Sequence, residues 1–531
     1  AGEINLSGNA SIDRGPVTLG KDESSGTTGD LTIVDNSSLT AVGTDTENGL
    51  TVGGDTTIGK ADHSDNPKLT VNGDASFEGN FTQNSGVSSV TGDSTVAGDY
   101  TQTGGNSTVG GDHKVDGTIT VSGGSHTVAG DLSGDSLTAS NGSSVTAGDI
   151  SLPGADGGSG DLVVTDSETS VSAVADEETG AQGNIDIAGS ASVSNGGSVT
   201  ADGDFEAGGS VTVSNGGSVG VAGDLTANGA DKDGNGLVVG EKGATTETVV
   251  DVGGKVTVGA GADTVINGNG SLTVGAADLG GDLIVAPGGE YIVTAGKDGI
   301  VDTDVDGSLV VGSGGEGSLR ADVDLGDAHI GQDATISNSD VASGDLTVDG
   351  DLVVDKGSSL TAARDNGDIT VGGSASVTEG STVNAAGDVT VGDKLEVGEE
   401  AGSSGSSVTV DGTLTVGTDG STADTVIHGN GSVVTGAGDL NGSLTVGDAD
   451  SGNQPNGSYV SAGETSVSGD LTVNENGSYS SAGNTDVGGK LVVETGGSMS
   501  VGSSQADGTL TVTGEATVNG TVSVDGTADF S

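Results

Sequence analysis

Gly79-Asn80-Phe81-Thr82-Gln83 returns nineteen residues later as Gly98-Asp99-Tyr100-Thr101-Gln102, and Gly92-Asp93 returns at that spacing as Gly111-Asp112 and Gly130-Asp131. Further along, Val193-Ser194-Asn195-Gly196-Gly197-Ser198-Val199 is repeated at 213–219, a shift of 20. Near the end Gly457-Ser458-Tyr459, Gly477-Ser478-Tyr479 and Gly497-Ser498-Met499 step by 20 twice. A short fixed period that persists along the chain is the mark of a solenoid, in which each repeat is one small unit stacked on the last.

Each period holds three short alternating runs. Asp470-Leu471-Thr472-Val473, Gly477-Ser478-Tyr479-Ser480 and Asn484-Thr485-Asp486-Val487 form one set. Alternation puts Leu471 and Val473 on one face and Thr472 on the other, as a strand with one buried side requires. Gly, Asn and Asp between the runs supply corners. The segments recur in one direction at constant spacing, whereas a tandem of hairpins needs near-mirror pairing about each turn. The reading is therefore all-β: a single long three-sided parallel β-helix, a β-solenoid of about 19–20 residues per coil. At that period the 531 residues make about 28 coils. With strands stacked roughly 4.8 Å apart, the expected rod is on the order of 130 Å long. It is expected to run continuously over 1–531, with loop excursions near 60–68, 166–183, 230–246 and 447–457, where any specific binding would sit. A longer duplication, Asp263-Thr264-Val265-Ile266 against Asp424-Thr425-Val426-Ile427, has a shift of 161 and points to growth by copying.

Composition agrees. The chain has 104 glycines, no Trp, no Cys, one Met and 2% aromatics, so the large side chains that fill globular cores are scarce. Val and Ile suit extended backbone and glycine suits tight turns. A glycine-rich, acidic chain competes for disorder, and the repeat decides against it. The formal charge of −64, from 78 acidic and 14 basic residues, excludes nucleic acid as a partner, because phosphate recognition needs clustered Lys and Arg. Over the expected rod this charge approaches the density of duplex DNA, about one per 1.7 Å. Such a surface suits a high-salt habitat, or lateral bridging of rods by divalent ions. No apolar run is long enough to span a bilayer. The chain starts at Ala1 without a basic, apolar leader, as a mature secreted form would. Lack of cysteine removes disulfides, thiolate metal sites and Cys nucleophiles together.

Parallel β-helices host many polysaccharide-cleaving enzymes. Such catalysis needs converging carboxylates, or Arg and Lys beside an acidic sugar, with aromatic platforms. Only Arg14, Arg320 and Arg364 are present, and the aromatics are scattered, with Tyr459 and Tyr479 at the repeat spacing. No enzyme is expected. His63, His113, His126, His329 and His428 show no metal-ligand spacing; His113 and His126 lie within one coil and are read as solvated strand or corner positions. Calcium has the better case. Asp302-Thr303-Asp304-Val305-Asp306-Gly307 opens like a calcium loop, and Asp231-Lys232-Asp233-Gly234-Asn235-Gly236 follows the same pattern. Alternate oxygen ligands before a permissive glycine can surround Ca2+, so Asp302, Asp304, Asp306, Asp231, Asp233 and Asn235 are the candidate ligands. Ser313 and Lys242 stand where an EF-hand needs its bidentate Glu, which excludes that motif. No cofactor is required beyond this candidate Ca2+. Asn-x-Ser/Thr triplets at Asn80, Asn106, Asn141, Asn430 and Asn476 are candidate glycan acceptors.

Both ends of the sequence read as strands, at Glu3-Ile4-Asn5-Leu6 and Thr521-Val522-Ser523-Val524, which is the basis for expecting head-to-tail stacking of coils between subunits. The Gly-Gly-Ser-Val-Thr-Val and Asn-Gly-Gly-Ser-Val units resemble the passengers of self-associating autotransporters and haemagglutinin-like bacterial surface proteins. The resemblance implies a right-handed β-helix, secretion to the cell surface, and adhesion or self-association. Gly-Asp-Leu-Thr-Val runs are also similar to those of polymer-forming bactofilins. The leading expectation is an extracellular structural subunit that polymerises with itself into a filament, sheath or matrix. An adhesin passenger that binds cell-surface ligands is the alternative, and a carbohydrate-active enzyme the third.

Overall fold

The three runs of each period form three columns of parallel strands in the computed structural model of this chain. The structure describes residues 5–6, 10–13, 15–19, 25–27, 29–42, 49–62, 65–154, 159–176, 181–294, 302–312, 322–325, 327–330, 332–337, 339–400, 404–417, 422–449, 457–504 and 507–531. Ala75–Phe77 pairs with Ser94–Val96, Phe81–Gln83 with Tyr100–Gln102, and Val87–Val90 with Asn106–Val109. Every partner in these three ladders lies nineteen residues away, as the Gly-Asp spacing requires. The chain is all-β, a parallel β-solenoid of about 20 coils with about 22 residues in each. It has no α-helix among the described residues, and Arg364–Asn366 forms a short 3-10 turn.

The chain divides into two compact units, one built chiefly from Ala1–Thr264 and the other chiefly from Gly299–Ser531. In the second, Leu444–Val446, Leu471–Val473 and Leu491–Val493 stack so that leucine lies on leucine and valine on valine, all fully buried. Their middle residues, Thr445, Thr472 and Val492, face outward. Each buried Leu or Val contributes about 2 kcal/mol. One coil holds few of them, so stability comes from stacking on neighbours.

The coil is longer, and the coils fewer, than the clean repeats imply. Register spacing is 19 from Ala75 to Ser94 and 20 from Ser198 to Ser218, but 31 from Ser218 to Val249. The excess falls at corners, where inserted residues leave the coil and return without shifting the strand register. Within 230–246, Asn235–Val239 is a strand paired with Val211–Val213 with Leu237 and Val239 buried, so the extra residues fall on either side of it and not in one excursion. In 60–68 the Asp65 carboxylate accepts the backbone N–H of Asp35 at 2.8 Å and of Lys60 at 3.2 Å. Parts of 60–68, 166–183 and 447–457 lie outside the described residues, and within 166–183 Ser170–Ala173 is a strand of the coil, paired with Ser144–Ala147 and Ser198–Ala201.

Corners use left-handed backbone where the sequence permits it. Asn195 (φ 54°) and Gly196 (φ 85°) reverse the chain while Gly197 N–H donates to Ser194 O at 3.0 Å, the sign pattern of a type I′ turn. Elsewhere a single strand runs on through the corner: Thr248–Val258, Gly270–Leu279, Ser406–Val416 and Gly431–Leu440 do so, the last two paired with a bulge between Val410 and Thr413. The last described coil, Ala516–Val518, Thr521–Val524 and Gly526–Phe530, keeps register with the coil before it. Its inward-phase residues Val518 and Phe530 are 47% and 54% exposed.

Candidate functional site

The Gly-Asp dipeptide that sets the repeat has a structural cause. Asp74, Asp93, Asp112, Asp131, Asp149, Asn184, Asp204 and Asp224 occupy one corner in successive coils of the first unit. The side-chain Oδ1 of each accepts the backbone N–H of the next, and the series ends on the N–H of Lys255, with all eight bonds between 2.7 and 3.1 Å. The glycine before each acceptor makes room for it. A β-carbon on Gly92, Gly111, Gly130, Gly203, Gly223 or Gly254 would collide with the Oδ1 of the coil beneath. A second corner repeats the device through Asp30, Asp55, Asn80, Asp99 and Thr118. In the second unit Asp345, Asp368, Asp388 and Thr413 form such a row, and Asp424, Ser443, Asp470 and Lys490 another.

Each such bond contributes about 1 kcal/mol net. Carboxylates one coil apart repel by about 1 kcal/mol in water, so a row made wholly of charged aspartates gains little. Asn80 and Asn184 keep the acceptor without the charge, and Lys255 and Lys490 place a cation at the end of a row. The ladders therefore serve backbone geometry first, with one oxygen of each carboxylate already committed.

The candidate calcium ligands sit differently. Asp302–Val305 is a strand with Asp302 and Asp304 exposed and Thr303 and Val305 buried, and Asp306 follows on the outside. Alternate residues of a strand stand roughly 6.6 Å apart along one face. Asp231 and Asp233 lie in a turn that leads into the strand Asn235–Val239, and Asp231 Oδ1 accepts the N–H of Asp233 at 2.8 Å and of Asn235 at 2.9 Å. Among the described residues no group of three or more His, Asp or Glu side chains is arranged to hold a metal ion.

Two outer histidines each join carboxylates from separate coils. His428 Nε2 lies 3.0 Å from Glu396 Oε1 and its Nδ1 lies 2.8 Å from Asp448 Oδ1. Burial opposes charge on this ring, but Asp448 and Glu396 outweigh it and raise its pKa above the usual imidazole value. Lys394, 2.6 Å from the other oxygen of Glu396, leads in holding that carboxyl below its usual range. His329 Nδ1 lies 3.0 Å from Asp304 and its Nε2 lies 3.4 Å from Asp349. The Asp304 hydrogen bond leads in raising the His329 pKa.

His113 and His126 are not solvated. They are 2% and 0% exposed, inside the coil, with His113 Nδ1 3.0 Å from His126 Nε2. Tyr100 OH lies 3.2 Å from His126 Nδ1 and donates to Gln102 Oε1 at 2.8 Å. Phe77, Phe81 and Tyr100 pack above them, Phe81 and Tyr100 stacked with centroids 5.4 Å apart. Burial lowers the His113 pKa to about 4, and burial together with His113 pushes His126 well down. The register held the signal. His113 directly follows Gly111-Asp112 and pairs with Ser94 and Leu132, whose phase is inward. His63 lies outside the described residues.

Nearly all aromatics turn inward too. Tyr459 and Tyr479 stack at 5.2 Å and each pairs its hydroxyl with a threonine, Thr465 and Thr485. Of the triplet asparagines, Asn430 is buried, and its amide is spent on Ser404 O and the Glu399 N–H. No helix among the described residues is long and apolar enough to cross a membrane. No protein family, no curated protein and no solved structure matches this chain.

Proposed function

We propose that this chain is a secreted structural protein, a β-solenoid subunit that associates with copies of itself into an extracellular filament, sheath or matrix. The observation that carries this reading is the use of the corner carboxylates. They are spent as acceptors for the next coil's backbone, in rows that repeat the same bond, which is a means of extending a stack. The surface location is supported by the likeness of its Gly-Gly-Ser-Val units to bacterial surface passengers. Divalent cations take part as counter-ions that let such acidic surfaces approach.

Negative-stain microscopy and sedimentation of the purified chain, across NaCl and CaCl2 concentrations, test the proposal. Fibres with a regular axial repeat are expected. Particles that stay monomeric in every condition overturn it, and if those monomers bind cells the adhesin reading takes its place.

A further inference from the structure

The hydrogen bonds around His126 have a fixed direction, which can be traced from the Gln102 amide. Gln102 Nε2 donates to Gly105 O and to Ser125 O, both at 2.9 Å, so its Oε1 is the acceptor side. The single hydroxyl hydrogen of Tyr100 is therefore spent on Gln102 Oε1, and towards His126 Nδ1 the phenol oxygen can only accept. His126 must carry its proton on Nδ1. Its Nε2 is then bare and accepts from His113, which must likewise carry its proton on Nδ1. Both rings are neutral here, because burial disfavours the charged form. The proton chain thus leaves His113 Nε2 as a bare acceptor, fully buried and with no protein partner.

His113 also lines an internal cavity of about 10 Å³, together with Ser88, Ser94, Ser107, Tyr100 and apolar neighbours. That is about the space one water molecule requires. An unpaired buried acceptor is destabilising, and a single donor in the cavity removes that cost. We infer that this cavity is a binding site for one ordered water, whose O–H donates to Nε2 of His113 and so completes a one-way chain from the solenoid wall to its interior. The inference rests on the interior alone and stands or falls separately from the proposed assembly.

Full-length protein with 15N-labelled histidine tests it at neutral pH. Long-range 15N–1H correlations should show Nδ1–H tautomers for both His113 and His126. They should also place His113 Nε2 in the hydrogen-bonded acceptor range, with a water cross-peak to the ring, and a high-resolution crystal structure should show one water at that nitrogen. The Ser94→Ala variant should leave the Nε2 signal unchanged. An Nε2–H tautomer on either ring, a dry cavity, or a Ser94→Ala spectrum that shifts Nε2 to its free value would each overturn the proposal, the last by naming the Ser94 hydroxyl as donor.

Discussion

Asp93 reaches one coil onward to Asp112, its Oδ1 accepting the Asp112 backbone N–H at 2.9 Å over a glycine, Gly111, that has no room for a β-carbon. The bond makes the Gly-Asp pair a two-coil unit, with the aspartate serving the following coil and the glycine admitting the aspartate of the preceding one.

Substitutions at that unit should rank by what they remove. Asp112→Ala and Asp112→Asn shed the same charge, but Asp112→Ala also leaves the Asp131 N–H without its acceptor and should be about 1 kcal/mol less stable than Asp112→Asn. Gly111→Ala forces the Asp93 carboxylate aside and should cost about 2 kcal/mol. Asp112→Asn keeps the acceptor and removes the repulsion from Asp93 and Asp131, as Asn184 does in the same row, so it should be at least as stable as the parent. Urea unfolding with hydrogen exchange at the Asp131 amide reads all three. A loss for Asp112→Asn equal to that for Asp112→Ala would mean that the charge, and not the acceptor, holds the corner.

Salt should stabilise the chain. With a net charge of −64 the fold is opposed by self-repulsion, and raising salt from about 0.01 to about 0.15 M shortens the screening length from about 30 to about 8 Å. The thermal midpoint should climb over that range. Calcium and magnesium at equal ionic strength should raise it alike if they act as counter-ions. A calcium-specific gain that Asp302→Asn with Asp304→Asn abolishes would assign chelation to that strand.

His428 ties Glu396 to Asp448 and has a raised pKa, so its stabilising effect is fully present below the ordinary imidazole value and is lost as pH rises through the raised one. The thermal midpoint should therefore fall as pH climbs above the ordinary imidazole value of 6.5. His428→Gln should flatten that fall. An unchanged profile in the variant would show that the ring is not the group titrating.

Much of this architecture is visible in residue spacing, and the limits are physical. Leu471-Thr472-Val473 declares its buried face through alternation, and the stack of Leu444, Leu471 and Leu491 follows. The clean repeats imply too many coils because the period is plainest where coils are shortest, while the turns on either side of Asn235–Val239 absorb residues with no effect on strand phase. The recurrence of Gly92-Asp93 was plain, but a side chain bonding to the backbone nineteen residues on leaves no local pattern. His113 and His126 were misplaced because residue type outweighed register. Pairing with Leu132 in one case and Val145 in the other puts them inside.

That interior placement makes an acid-sensitive segment, of opposite sign to His428. The groups packed around the pair include Tyr100, Ser94, Ser107, Leu132 and Val145, with no carboxylate among these five to stabilise an imidazolium. The unfolded chain takes up protons below the usual value of 6.5, while folded His113 resists until about 4. Stability is thus held above 6.5 and lost as pH falls through that window, by about 3 kcal/mol for His113 alone. His113→Leu with His126→Val copies residues that already stand at the paired positions, Leu132 and Val145, and should remove this component while leaving the carboxylate titrations in place. Urea unfolding of parent and double variant at closely spaced pH values isolates the difference. The two stability curves should run parallel above pH 6.5 and diverge below it. Curves that stay parallel down to pH 4 would show that both rings reach water in solution, and would remove the buried cluster with them.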